Sequence, residues 1–218
     1  MLSSIRPLGK LWQRLVKALT GSPPAPLPQL LMWYAPPEGP VLGDLAAGYR
    51  LRTYAAGDEA GWAALLEANG QLGSWDEGRA RQELDQGLVQ QAQFFVAAGE
   101  SLVSTTGVYD RLLTGKPCWE IGWVAVHPAH QGKALGPQVV GAAVRAALAL
   151  PRRPIGLRTD DFRLPAIKVY LRLGFVPDGE HPSYPGRWQA IFAQLGEEYA
   201  RFAGCFTRGS ILPGEWAG

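Results

Sequence analysis

Cysteine is scarce in this sequence: two residues in 218, Cys118 and Cys205, far apart along the chain. That spacing excludes a zinc knuckle or a C-x-x-C redox pair and is what a cytosolic protein with two reduced thiols would show. Only three histidines occur, and they form no cluster at ligand spacing, so no metal site is expected. No run of about eighteen apolar residues is present, which argues against a spanning helix. Charge of one sign is not in excess either. The formal net charge is +2, too small for the broad field of a nucleic-acid binder, and no nucleic-acid partner is expected. There is no G-x-G-x-x-G near the start and no Gly-Lys-Ser/Thr, which argues against a dinucleotide-binding or P-loop protein.

What is present describes a globular chain: 47% hydrophobic and 18% charged residues, enough apolar surface for a packed core. One domain with an appendage is the expectation. Residues 1–28 are read as an amphipathic helix followed by a proline-rich linker, and 29–218 as a single domain with a motif-bearing core over 49–178. In the first segment Ile5, Leu8, Leu11, Trp12, Leu15, Val16 and Leu19 fall at helical spacing, with Arg6, Lys10, Arg14 and Lys17 on the other side. Docking on the domain, lying on a membrane surface and serving as a targeting sequence all fit this helix; the lysines and arginines disfavour a secretory signal. GSPPAPLP then ends it.

Strands are expected over Leu30–Tyr34, Tyr49–Tyr54, Phe94–Ala98, Leu102–Tyr109, Trp119–Val126 and Ile155–Arg158, the third and fourth forming a hairpin about a GES turn. Helices are expected in GDEAGWAALLEANG, over Trp75–Leu88, over 134–150, over Leu164–Leu173 with Gly174 as stop, and from Arg187 to Phe202. This order predicts an α+β fold: a mixed, mainly antiparallel central sheet with helices on both faces.

The segment GWVAVHPAHQGKALGPQVV carries a strand directly into a glycine-bearing turn and a helix. Unbonded N–H groups at the helix start, helped by the helix dipole, suit an anion, and Gly132 and Gly136 leave room for it. Such a turn alone is weak evidence. The sequence Val-x-Val-x-Pro, then Gln131-Gly132-Lys133-Ala134-Leu135-Gly136, then PAIKVYLRLGF about thirty residues later, resembles the GNAT superfamily of N-acyltransferases in motif content, order and distance.

The resemblance implies that Gln131, Gly132, Lys133, Ala134, Leu135 and Gly136 cradle the diphosphate of acetyl-CoA, and that the backbone of Val124, Ala125 and Val126 pairs with its pantetheine arm like an added strand. Ala134 replaces the middle glycine of the family loop, which is acceptable if that residue is already right-handed helical. Arg163 replaces a family asparagine and is assigned to a cofactor phosphate. Tyr170 is implied as general acid for the departing thiolate. Glu120 is the candidate base, on one strand face with Gly122, Val124 and Val126 by period-two geometry; pairing with an arginine is the competing reading. A backbone amide near Val124 suits the oxyanion if two strands splay there. Asp160 and Asp161 are read as helix-capping or as a partner for a substrate amine, and His127 and His130 as turn residues.

The expected function is transfer of an acetyl or longer acyl group from acetyl-CoA to a primary amine, on a small molecule or peptide, by direct attack in a ternary complex. The expected location is the cytoplasm. Two other readings stay open: a non-catalytic coenzyme A-binding module, and a membrane-associated protein with peripheral contact through its basic N-terminal helix. The C-terminal helix either walls the acceptor pocket or makes a homodimer contact.

Overall fold

Five consecutive apolar residues, Leu30–Tyr34 (β1), are all buried, as expected for a strand covered on both faces rather than one with a face in water. A computed structural model describes residues 26–215, and the expected N-terminal helix lies outside them. The remaining strands are β2 (Tyr49–Thr53), β3 (Leu88–Ala98), β4 (Ser101–Leu113), β5 (Lys116–Val126), β6 (Ile155–Thr159) and β7 (Phe175–Pro177). They form a seven-stranded sheet in the order β2-β3-β4-β5-β6-β1-β7. β1 therefore fills the slot between β6 and β7, antiparallel to both, with Leu30 opposite Thr159 and Tyr34 opposite Phe175. Among the described strands the one parallel pair is β5 with β6, joined through a helical crossover.

Helices α1 (Glu59–Asn69), α2 (Glu77–Asp85), α3 (Leu135–Leu148), α4 (Leu164–Arg172) and α5 (Tyr184–Leu195) flank the sheet. Neighbouring residues of β3 separate the two layers. Phe95 and Ala97 join Trp62, Leu65 and Leu66 of α1, while Val96 joins the larger cluster with Val139, Val140 and Val144 of α3. The mixed, mainly antiparallel α+β architecture with helices on both faces is as the sequence predicts.

Some boundaries differ. The expected Trp75–Leu88 helix is shorter, because Asp76 caps it through the Arg79 amide and Gly87, at φ +78°, turns the chain into β3. The expected Arg187–Phe202 helix is two pieces. α5 ends before Gly196, whose φ of +99° leaves the helical region, and a 3-10 turn spans Glu197–Phe202. α5 is tied to the sheet through Asp178, whose carboxylate accepts from Trp33 Nε1 at 2.7 Å and whose carbonyl accepts from Trp188 Nε1 at 3.0 Å.

Candidate active site

β5 and β6 pair only through Trp119–Ile155 and Glu120–Gly156. Beyond Glu120, β5 runs on to Val126 with no register partner on that side, so the two strands diverge and open a cleft of about 240 Å³. This is the splay that an oxyanion-binding amide near Val124 requires, and Val124 lines the cleft. Glu120, Gly122 and Trp123 accompany it from β5; Tyr109 and Arg111 come from β4, Arg158 from β6, Arg163 from the position just before α4, and Tyr170 from α4. Gln71 and Leu72 of the α1–α2 connection and Gln29, just before β1, complete the rim.

Glu120 is 5% exposed, and Arg158 engages both its oxygens, Nε to Oε1 at 2.7 Å and Nη2 to Oε2 at 3.1 Å. The arginine pairing weighed from sequence is thus the observed environment of this carboxylate. Period-two continuity from Glu120 to Val126 does not hold. Trp123 has φ +52°, and the pairing shifts between Gly107–Gly122 and Thr105–Ala125, so one extra residue of β5 is accommodated as a bulge. Past it, Ala125 rather than Val126 continues the Glu120–Gly122 face. Ala125 packs with Trp62 and Phe95, whereas Val126 packs with the α3 layer.

Tyr170 follows Ile167 and precedes Leu171 on the buried stripe of α4. Its ring sits edge-on to Phe175, with centroids 6.0 Å apart, and it lines the cleft. Its hydroxyl makes no hydrogen bond among the described residues, and burial pushes its pKa up to about 12 against a smaller opposing effect of Arg163, so the phenol holds its proton at neutral pH. Arg163, just before α4, donates from Nη2 to the Gln71 carbonyl at 2.9 Å and lies 3.0 Å from an Asp160 oxygen, with its Nε buried and unpartnered.

The turn after β5 has the shape of an anion cradle. Pro128 starts a 3-10 turn, Gly132 has φ +75°, and α3 begins at Leu135 after Ala134 at φ +55°, ψ +23°. The expectation that Ala134 is right-handed helical is therefore wrong: it caps α3 in the left-handed conformation that the replaced glycine would favour. The turn ends at the head of a fourteen-residue helix, whose unbonded N–H groups and dipole favour an anion. Residues 131–134 are exposed, and a Cβ on Gly136 would meet only Val126, at 3.7 Å, so the cradle is open and contiguous with the end of β5. Lys133 reaches back to β2, where its Nζ donates to the Tyr49 hydroxyl at 2.8 Å; that hydroxyl also bonds His130 Nδ1 at 2.9 Å. These residues fit a diphosphate at the turn with an extended arm along β5.

The sequence-predicted residues fall in two adjoining groups. Tyr170, Glu120, Val124 and Arg163 share the cleft, while Gln131–Gly136 form the neighbouring turn. Asp160 and Asp161 hold arginines, Arg163 and Arg187 respectively. His127 accepts from the Ala129 amide within its own turn. Among the described residues no group of three or more potential metal ligands occurs, and no helix is long and apolar enough to cross a membrane. Arg111 and Arg158 escaped the sequence reading. Arg158, charged in the apolar run Ile155–Thr159, was the available signal; for Arg111 there was none.

An open mixed sheet that splays beside a glycine-bearing turn at a helix start has the layout of an acyl-CoA transferase-like class of fold. A profile of the acetyltransferase (GNAT) family matches residues 59–175, more than half of the chain. The chain belongs to the GNAT acetyltransferase family. No curated protein matches it in sequence. Similar solved structures include a GNAT-family protein from Novosphingobium aromaticivorans, 22% identical, TM-score 0.51, with 69% of this chain and 59% of that one covered. A GCN5-related N-acetyltransferase from Sphaerobacter thermophilus is 20% identical, TM-score 0.52, covering 80% and 55%. A Drosophila protein is 14% identical, TM-score 0.54, covering 78% and 55%. The match spans little more than half the length of these chains, and at such identities it concerns the fold.

Proposed function

We propose that this chain transfers an acetyl group from acetyl-CoA to a primary amine by direct attack within a ternary complex, with Tyr170 as general acid. The observation that carries the reading is a protonated phenol without a hydrogen-bond partner among the described residues, lining the cleft where β5 and β6 part. Acetyl-CoA supplies an activated thioester carbonyl and a thiolate leaving group. In this reading Gln131–Gly136 hold its diphosphate through main-chain amides, with Lys133 adding charge, and Val124, Ala125 and Val126 align the arm. An amide near Val124 steadies the charge that develops on the carbonyl oxygen. Arg163, hydrogen-bonded to Gln71 and paired with Asp160, acts from the cleft wall; a contact with a cofactor phosphate would use its remaining donors.

Tyr170 then gives its proton to the departing sulfur. Glu120 is the only carboxylate lining the cleft among the described residues and is the group to receive the amine's proton, which requires release of one of its two hydrogen bonds from Arg158. Tyr170→Phe tests the assignment. Thiol release from acetyl-CoA with an accepted amine should fall at least tenfold, while calorimetric affinity for acetyl-CoA barely moves. Unchanged turnover removes Tyr170 as the acid. Saturable acetyl-CoA binding without transfer to any amine favours a non-catalytic coenzyme A-binding module.

A further inference from the structure

Three arginines line the cleft, each with a carboxylate within reach: Glu83 for Arg111, Glu120 for Arg158 and Asp160 for Arg163. Among the described residues its charged lining consists of Arg111, Arg158, Arg163 and Glu120. Glu120 is matched by Arg158 through two hydrogen bonds. Arg163 is committed to Asp160 and the Gln71 carbonyl, and Asp160 does not line the cleft. Arg111 is the least committed. Its nearest carboxylate, Glu83, is 3.6 Å away and also outside the lining, and its guanidinium rests over the Tyr109 ring, 5.3 Å from the centroid.

Stacking on an aromatic face fixes the plane of a guanidinium while leaving its edge donors available, which suits two-point recognition of an oxyanion. An acceptor amine that also carries a negatively charged group would engage those donors.

Resting on the transferase reading above, we propose that the acceptor is a small primary amine that also bears an oxyanion, carboxylate or phosphate, received by Arg111. The cleft volume of about 240 Å³ suits a small molecule. Wall and acceptor are then complementary: the oxyanion anchors at the Arg111 guanidinium while the amine faces the thioester, with Glu120 placed to take its proton.

The test uses the full chain and begins with acetyl-CoA calorimetry. Initial rates of thiol release are then measured for matched probes: para-aminomethylbenzoate against its amide, β-alanine against β-alaninamide, ethanolamine phosphate against ethanolamine, and putrescine as a dication. In at least one pair the anionic member should show kcat/KM tenfold or more above its neutral partner, the scale of one charge-assisted contact. The two carboxylate pairs and the phosphate pair identify which oxyanion is preferred. Arg111→Gln should bring that ratio close to one, and Arg111→Lys should retain part of it. Preference for neutral amines or putrescine, or a ratio insensitive to Arg111→Gln, overturns the inference while leaving the transferase reading intact. No saturable acetyl-CoA binding sinks the transferase reading itself. If acetyl-CoA binds but no probe is acetylated, thermal shifts of the acetyl-CoA complex decide, and failure of every anionic probe to stabilise it more than its neutral partner counts against the proposal.

Discussion

Replacing Ala134 with glycine is expected to stabilise the protein, although alanine is ordinarily the better residue at the start of a helix interior. Ala134 stands at φ +55°, ψ +23°, immediately before α3, and is exposed. Left-handed backbone costs an L-residue roughly 1–2 kcal/mol, which glycine avoids. Against this, glycine gives the unfolded chain more freedom, costing roughly 0.5–1 kcal/mol. The exposed methyl contributes little burial, so the net gain is roughly 0.5–1 kcal/mol, or about 2 °C in Tm for a chain of this size. Gly132→Ala is the reciprocal experiment. At φ +75° and with no heavy atom within 4 Å of an added Cβ, it meets backbone strain but no clash, and should lose roughly 1 kcal/mol. Urea unfolding followed by tryptophan fluorescence reads both. If Ala134→Gly instead loses about 1 kcal/mol, as it would in right-handed helix, the cradle geometry inferred for this turn is wrong.

A methyl at Gly107 would overlap Gln93 Oε1 and come within 2.9 Å of Tyr109 Cε2, where Gln93 bonds both Thr105 and Tyr109. Gly107→Ala should therefore cost about 3 kcal/mol by urea midpoint, and a loss below about 1 kcal/mol would contradict this tightly filled arrangement. Alkaline pH gives another check. Burial raises both Tyr34 and Tyr170 to about 12. Folded pKa values above the ordinary tyrosine value of about 10 mean that this contribution is fully present below about pH 10 and is lost as pH rises through about 12, by up to roughly 2–3 kcal/mol per tyrosine. By about pH 11 roughly half of this, about 1.4 kcal/mol per tyrosine, should be gone relative to about pH 9 in urea unfolding, with a smaller difference in Tyr34→Phe; equal midpoints would show the phenols to be unshifted.

Local periodicity made much of the architecture legible. The buried stripe of α3, the Gly99 hairpin and the Tyr170 face of α4 each depend on neighbours within a few residues. The glycine-bearing turn from Gln131 to Gly136 leading into α3 was readable for the same reason. Trp123 was not readable as a bulge, because a tryptophan gives no local sign of positive φ and the shift is imposed by pairing with β4. Ala134 misled for a related reason: propensity favoured helix, whereas the geometry of the turn held the residue left-handed. The arginine-rich cleft was hidden more deeply. Arg111, Arg158 and Arg163 come from three elements whose convergence depends on sheet order, which the chain's linear pattern does not encode.

That order bears on how the molecule is made. Leu30 finds its opposite number at Thr159, so β1, the first strand among the described residues, waits for more than a hundred further residues before its slot exists. The family-matching stretch, 59–175, consequently cannot complete the sheet unaided: excised, it would expose a raw β6 margin where β1 belongs, an invitation to pair with other chains. The stretch that precedes the family match thus supplies the strand that joins β6 to β7.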